Sequence, residues 1–415
     1  MSRRTSIGAF AAVLVGSVLL PIGSSTAAPA ANPAAAPLAG TAAAAKGAPV
    51  AHATAGAGQV TAEMKSEIAS VLSRGEVSAR RAPGAKLSPA ALAKAQIRCA
   101  DFEGQRYCLH SGWTEKSESE VANTVASRAT ISARGTTRET TGDLSDLDAL
   151  RQFNALSPAA KRKAERRELV QAARSVSKVW LLRHQIQGTP LPAGFLARHP
   201  EVDTGSATST ARAINKTAAN PAVKRPRDYP RFKLIMNKKR VTQQVRTYWC
   251  GPSSMQMIGW GWNRRKSQRA WANRLGTTTS GTAITEMVRV TNQYTGWDRK
   301  RRAGHYITLD ISNYSFPQWW MLQMRHYADY RAPVILHPIL LKQFYPYLDD
   351  DASGHFQVGR GYSKNGKRPA MLHYFEPWNQ KRFDPSEPFI SRTQRRMAYR
   401  SYRANQAHFQ HNIGV

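Results

Sequence analysis

The chain is 415 residues long (45.9 kDa) and carries 60 Lys and Arg against 27 Asp and Glu, a formal net charge of +33. The length leaves room for two domains, and no stretch approaches the ~20 consecutive apolar residues that a membrane-spanning helix needs. So positive a balance predicts salt-sensitive attraction to anionic surfaces, although basic residues dispersed through both halves also fit a generally solvated surface.

Arg3 and Arg4, the apolar run from Ile7 to Leu20 and the small residues Ser25-Thr26-Ala27 read as a signal peptide over residues 1–27. The expected product is secreted, soluble or loosely wall-associated, with no transmembrane segment after signal cleavage. Export favours anionic cell-wall polymers, membrane headgroups or acidic proteins as partners and argues against nucleic acid. Residues 28–60 are almost wholly Ala, Pro, Gly and Thr, a composition that reads as a flexible segment.

Residues 61–200 read as a mostly helical propeptide or accessory domain. Met64, Ile68, Val71 and Leu72 follow Thr61 at helical spacing, and Ser88-Pro89 opens a helix through Gln96. Cys99 and Cys108 flank a short alternating stretch around Gly104, a hairpin or turn, and are the natural disulfide pair. After a polar run, Ser145 begins a helix with Leu147, Leu150 and Phe153 on one face. Ser157-Pro158 then starts a longer one reaching Gln187, ended by Gly188. Residues 201–229, rich in Ser, Thr, Ala, Asn and Pro, read as a linker to a second domain at 230–415.

That domain opens with Gln244 and, six residues on, Cys250-Gly251-Pro252. With Cys99 and Cys108 paired, Cys250 is the leftover thiol, reactive or buried. Pro252 fits an early helical position, so Cys250 sits where unpaired N–H groups point at its sulfur and should lower its pKa. A second helix runs from Ser267 to Gly276, and Thr282 can cap a third. Residues 332–337 form an apolar strand. His355 to Arg360 alternate, Asn365-Gly366 supplies a turn, and Met371 to Phe375 return, placing His355 near Glu376. Thr393 to Phe409 reads as a closing helix that docks its Tyr and Phe residues. Helices followed by strands define an α+β domain. Trp319 and Trp320 read as core or cleft wall. His305, His326, His337, His373, His408 and His411 show no metal-ligand spacing, so neither metal nor cofactor is expected.

From Val241 to Trp378 the residues resemble papain-like cysteine peptidases of the bacteriocin-leader type, the double-glycine leader peptidases of family thirty-nine, in stand-alone form. The resemblance rests on Gln244 before Cys250-Gly251-Pro252, on Trp271-Ala272 with Leu275-Gly276-Thr277 and Gly281-Thr282, on Ala332-Pro333-Val334-Ile335, and on Gly354-His355-Phe356 before Glu376-Pro377-Trp378. It implies a papain-like domain whose helical part carries the cysteine and whose antiparallel sheet carries the histidine. It further implies Cys250 as nucleophile, His355 as general base and acid, and Gln244 as oxyanion donor. Where the family places Asp before Pro this chain has Glu376, the favoured orienter of the imidazole, with Asn379 as the alternative. Leader-processing members are fused to membrane spans and an ATP-binding cassette, and neither appears here. The expectation is a secreted cysteine hydrolase acting on peptide or protein substrates. The competing reading is a catalytically silent papain-fold module that binds peptides or anionic cell-wall polymers.

Overall fold

The computed structural model describes residues 53–81, 87–133, 140–204, 223–348, 351–365, 368–378, 390–394, 396–404 and 413–415. The expected signal peptide at 1–27, residues 28–52 of the Ala/Pro-rich segment, residues 205–222, Gly366, Asn379, His408, Phe409 and His411 lie outside them.

In chain order come β1 (Thr54–Ala55), α1 (Ala62–Arg81), α2 (Pro89–Gln96), β2 (Cys99–Phe102), β3 (Gln105–Cys108), β4 (Gly112–Thr114), α3 (Glu118–Ala133), α4 (Asp146–Asn154), α5 (Pro158–Ala173), α6 (Val176–Leu182), α7 (Phe195–Arg198) and β5 (Val202–Asp203). The hydroxyls of Ser88, Ser145 and Ser157 accept the backbone N–H of Ala91, Asp148 and Ala160, giving α2, α4 and α5 partners for otherwise orphaned first-turn donors. Glu103 and Gly104, at φ 48° and 77°, turn β2 into β3 in the left-handed region. The turn sets Cys99 opposite Cys108, and the two are disulfide-bonded. The helix expected to run unbroken from Ser157 to Gln187 breaks at Arg174-Ser175. There the Arg174 carbonyl accepts the Gly58 N–H at 2.8 Å, and the Ser175 hydroxyl donates back to the Ala172 carbonyl at 2.8 Å.

The chain continues through β6 (Phe232–Leu234), α8 (Cys250–Gly261), α9 (Gln268–Leu275), α10 (Ile284–Tyr294), β7 (Thr308–Leu309), α11 (Phe316–Ala328), β8 (Val334–Leu336), β9 (Gln357–Asn365), β10 (Arg368–Glu376), β11 (Ile390–Gln394), α12 (Arg396–Ala404) and β12 (Ile413–Gly414). Ser267 caps α9 and Gly276, at φ 65°, ends it; Ser315 and Gln318 close a capping box on α11. The third helix is not capped by Thr282: Ala283 holds that position without a side-chain bond, and the Thr282 backbone is engaged elsewhere. The closing helix is shorter than expected, because residues 390–394 pair with β10 before α12 begins. Its Tyr402 is buried against Trp319.

Mixed helix and sheet make the protein α+β. One sheet runs β11-β10-β9-β8-β12-β7-β4-β3-β2, with β6 also on β9. Its contacts are antiparallel except between β4 and β7, which are parallel. That parallel contact corrects the expected division into domains at 201–229: strands from both sides of the boundary share this sheet. Asp310 seals the joint, accepting from the Thr114 hydroxyl at 2.7 Å and from Lys116 at 2.9 Å. Phe102, Trp113 and Leu169 lie in one apolar cluster with Trp271, Trp319 and Tyr374. Residues 53–60 are likewise not a flexible leader, since β1 pairs antiparallel with β5 and Ala53 and Ala55 are buried against Leu181, Leu191 and Phe195. Small side chains read as unable to build a core, yet they let this strand lie close on one supplied by its neighbours. No helix among the described residues is long and apolar enough to cross a membrane.

Candidate functional site

Cys250 opens α8 with no exposed surface. Gly251 follows because a Cβ there would stand 2.5 Å from the Thr282 hydroxyl oxygen. The loop before the helix carries Gln244 and is held from α9: the Gln268 side chain accepts the Val245 N–H at 3.0 Å and donates to the Gln243 carbonyl at 2.7 Å. Gln244 itself donates its backbone N–H to Pro377 at 2.9 Å, tying this loop to the residues after β10.

His355 precedes β9 by two residues rather than lying on it, with its backbone N–H on the Pro338 carbonyl at 2.8 Å. Ser254 of α8 donates to the Phe356 carbonyl at 3.1 Å, so the cysteine helix is bonded to the residue next to the imidazole. His355 Nε2 and Glu376 Oε1 are 2.6 Å apart, both residues wholly buried. The same Oε1 accepts the Trp378 N–H at 2.9 Å, while Oε2 accepts Gln357 Nε2 at 2.6 Å and the Tyr347 hydroxyl at 2.8 Å. Burial alone would raise this carboxyl; the charge and hydrogen bond of His355, with the Trp378 and Gln357 donors, more than offset it and leave its pKa lowered. Among the described residues His355 Nδ1 is buried with no hydrogen-bond partner.

Cys250 and Gln244 meet on a single acceptor. The Thr141 carbonyl takes the Cys250 backbone N–H at 3.1 Å and Gln244 Nε2 at 3.2 Å. Gln244 Nε2 also reaches the Arg246 and Thr247 carbonyls at 3.0 and 2.6 Å. The Cys250 thiol is raised well above its ordinary pKa, against the lowering expected from its helix position. Burial is the main cause and the Asp143 carboxylate the next, opposed by the Phe356 and Gly251 N–H groups and the Thr141 hydroxyl.

The structure thus gathers His355 and Glu376 in one buried cluster, and Cys250 and Gln244 around one carbonyl oxygen. Sequence reading missed Gln357 and Tyr347, which complete the carboxylate's shell, and His337, whose Nε2 lies 2.6 Å from Asp143 Oδ1. It also missed the segment that brings Thr141 and Asp143, which lies in the polar run between the cysteine hairpin and α4. A cavity of about 300 Å³ lined by His110, Phe153, Glu168, Glu286 and Arg289 lies elsewhere, and none of the four candidate residues borders it.

A buried imidazole–carboxylate pair thus lies in the same α+β fold as a cysteine at a helix start and an amide sharing its acceptor. Residues 235–406 match the model of the Peptidase_C39 like family, which supports a C39-type papain-like cysteine peptidase over that part of the chain. No curated protein and no solved structure matches the chain.

Proposed function

We propose that the protein is a secreted cysteine hydrolase cleaving peptide bonds through a thioester on Cys250. The observation that carries this reading is the convergence of two donors, the Cys250 N–H and the Gln244 amide, on one carbonyl oxygen. In the mechanism, His355 Nδ1 takes the thiol proton and the sulfur attacks the substrate carbonyl carbon. The C–S bond forms as the carbonyl electron pair moves to oxygen, where the two donors receive it; each such donor is worth about 3 kcal/mol of transition-state stabilisation. The tetrahedral intermediate collapses with cleavage of the C–N bond, and His355 returns its proton to the departing amine. Water, deprotonated by the same imidazole, hydrolyses the thioester and restores Cys250. Glu376 holds the imidazole by Nε2 and stabilises its cationic form.

Residues 1–27 would direct export, and the strong positive charge that remains after Arg3 and Arg4 leave with them would hold the product near anionic wall polymers or lipid headgroups, with retention falling as salt rises. The catalytic test is peptide cleavage, followed by mass spectrometry, in a chain carrying Gly142→Ala to loosen the Thr141 carbonyl from its donors. Cleavage should vanish on adding Cys250→Ser or His355→Ala. Cleavage that survives Cys250→Ser would sink the reading.

A further inference from the structure

Residues 140–144 cross the site as a peptide bent at Gly142 and held from both walls. On one wall the Thr141 carbonyl takes the Cys250 and Gln244 donors, and Thr282 brackets Asp143 in a parallel bridge. Its N–H binds the Gly142 carbonyl at 2.9 Å and its carbonyl takes the Leu144 N–H at 3.1 Å. On the other wall Thr141 donates its N–H to Ser353 Oγ at 3.0 Å and its hydroxyl to the Gly354 carbonyl at 2.6 Å, directly ahead of His355. Asp143 reaches His337 at 2.6 Å, with side-chain exposures of 2% and 0%.

The fit depends on having no side chain at two places. Gly142 has φ 101°, and a Cβ on it would stand 2.1 Å from the Tyr248 carbonyl oxygen; Gly281 has φ 115°, and a Cβ there would stand 2.2 Å from the Gly142 carbonyl oxygen. A surface loop resting on a neighbour would not spend both oxyanion donors, a β-bridge, a buried carboxylate–imidazole contact and two glycines on the contact.

We propose that residues 140–144 are a built-in occupant of the peptide-binding cleft, a strap that keeps the chain latent until it is displaced. This rests on the hydrolase reading of the same site and adds its regulation. The Thr141 carbonyl sits where a substrate carbonyl must sit, so strap and substrate exclude one another. It also names the ligand chemistry of the cleft: a backbone with a hydroxylated residue in the donor pair, then a glycine at a bend, then a carboxylate facing His337.

The test uses the full exported chain, Gly142→Ala, which collides with Tyr248, and Asp143→Lys, which removes the carboxylate that His337 Nε2 meets and puts a longer, cationic side chain in its place. Cys250 alkylation by iodoacetamide is followed by intact mass, with near-ultraviolet circular dichroism reporting the fold. An occupied cleft whose open form is a minor state of about 10% or less predicts alkylation at least about tenfold faster in both variants. Equal rates in wild type and variants overturn the proposal, and so does a rise confined to a variant whose near-ultraviolet signal is gone. Peptide hydrolysis by the wild type at the variants' rate also overturns it, leaving the hydrolase reading intact. Faster alkylation without hydrolysis in either variant upholds the strap and refutes the hydrolase.

Discussion

Replacing Glu376 separates its charge from its place in the core. The wholly buried carboxylate accepts from His355, Trp378, Gln357 and Tyr347. Glu376→Gln keeps the volume, and the amide oxygen can still take His355 and Trp378. The new NH2 faces the Tyr347 hydroxyl, which can rotate to accept, and the Gln357 amide, which can turn its oxygen inward. What is lost is the charge: a charged hydrogen bond contributes about 1.5–3 kcal/mol and a neutral one about 1, so the imidazolium loses about 0.5–2 kcal/mol. That predicts kcat/KM lower by about 2- to 30-fold with the fold retained. Glu376→Ala instead strands the donors and leaves a buried imidazole unpaired, which should cost about 3–5 kcal/mol of stability. Peptide hydrolysis and guanidinium unfolding, both in the Gly142→Ala background, read the two effects. Full activity in Glu376→Gln, or equal destabilisation by Gln and Ala, would refute the reasoning.

Three further outcomes concern the scaffold. The Cys99–Cys108 bridge closes a loop of sequence separation 9, so its reduction should lower unfolding free energy by about 2–3 kcal/mol; an unchanged denaturation midpoint under reductant would contradict this. Arg98 and Glu165 form an ion pair with side-chain exposures of 6% and 8%, and Glu165→Ala should cost about 3–5 kcal/mol because the guanidinium stays buried; a loss below about 1 kcal/mol on the same denaturation curve would place that guanidinium in water. Burial holds His110, His305 and His326 down to about 3, so their stabilising contribution is complete above the unfolded value of 6.5 and is lost as pH falls toward 3. Glu168, raised to about 7, and Asp298, raised to about 6, both chiefly by burial, act oppositely, their contribution waning as pH rises through those values. The histidines outnumber them, so the unfolding temperature should climb from pH 4 to about 6.5; a flat profile would refute the assignment.

What could be read from the sequence was local. Gln244 and Cys250 are six residues apart on one loop and helix start, and the hairpin of β9 and β10 pairs Phe375 with Val358, which leaves His355 and Glu376 at the same end. Composition misled at Ala53 and Ala55, where the covering side chains come from residues far along the chain. The parallel pairing of Trp113 with Leu309 has no signature in either strand, because β4 and β7 are too short to show periodicity. Residues 140–144 were invisible for a related reason: their role lies in backbone groups, which any sequence carries.

The Cys250 thiol shows how two correct principles can point in opposite directions. A helix N-terminus contributes about 0.3–1 kcal/mol toward the thiolate, less than one pH unit. Full burial moves a titrating group by up to about 3–5 units, and here the Asp143 carboxylate adds to it. Burial wins, and the thiol rises. Part of the rise comes from the strap itself, since Asp143 belongs to it; the Thr141 hydroxyl, on the same segment, acts the other way. Displacing the strap removes both, but it also admits water to the sulfur and so relieves the burial that is the larger cause, while leaving the Gly251 and Phe356 N–H groups in place. The inflection of Cys250 alkylation against pH should therefore lie lower in Gly142→Ala than in wild type, and lower again than in Gly142→Ala/His355→Ala. Among the described residues, Asp143 is the charged group that acts on the thiol, and His355 Nδ1 is a buried nitrogen with no hydrogen-bond partner, which suits it to take the thiol proton. An inflection that stays at the wild-type position in Gly142→Ala would mean that the core, rather than the strap, keeps the thiol protonated.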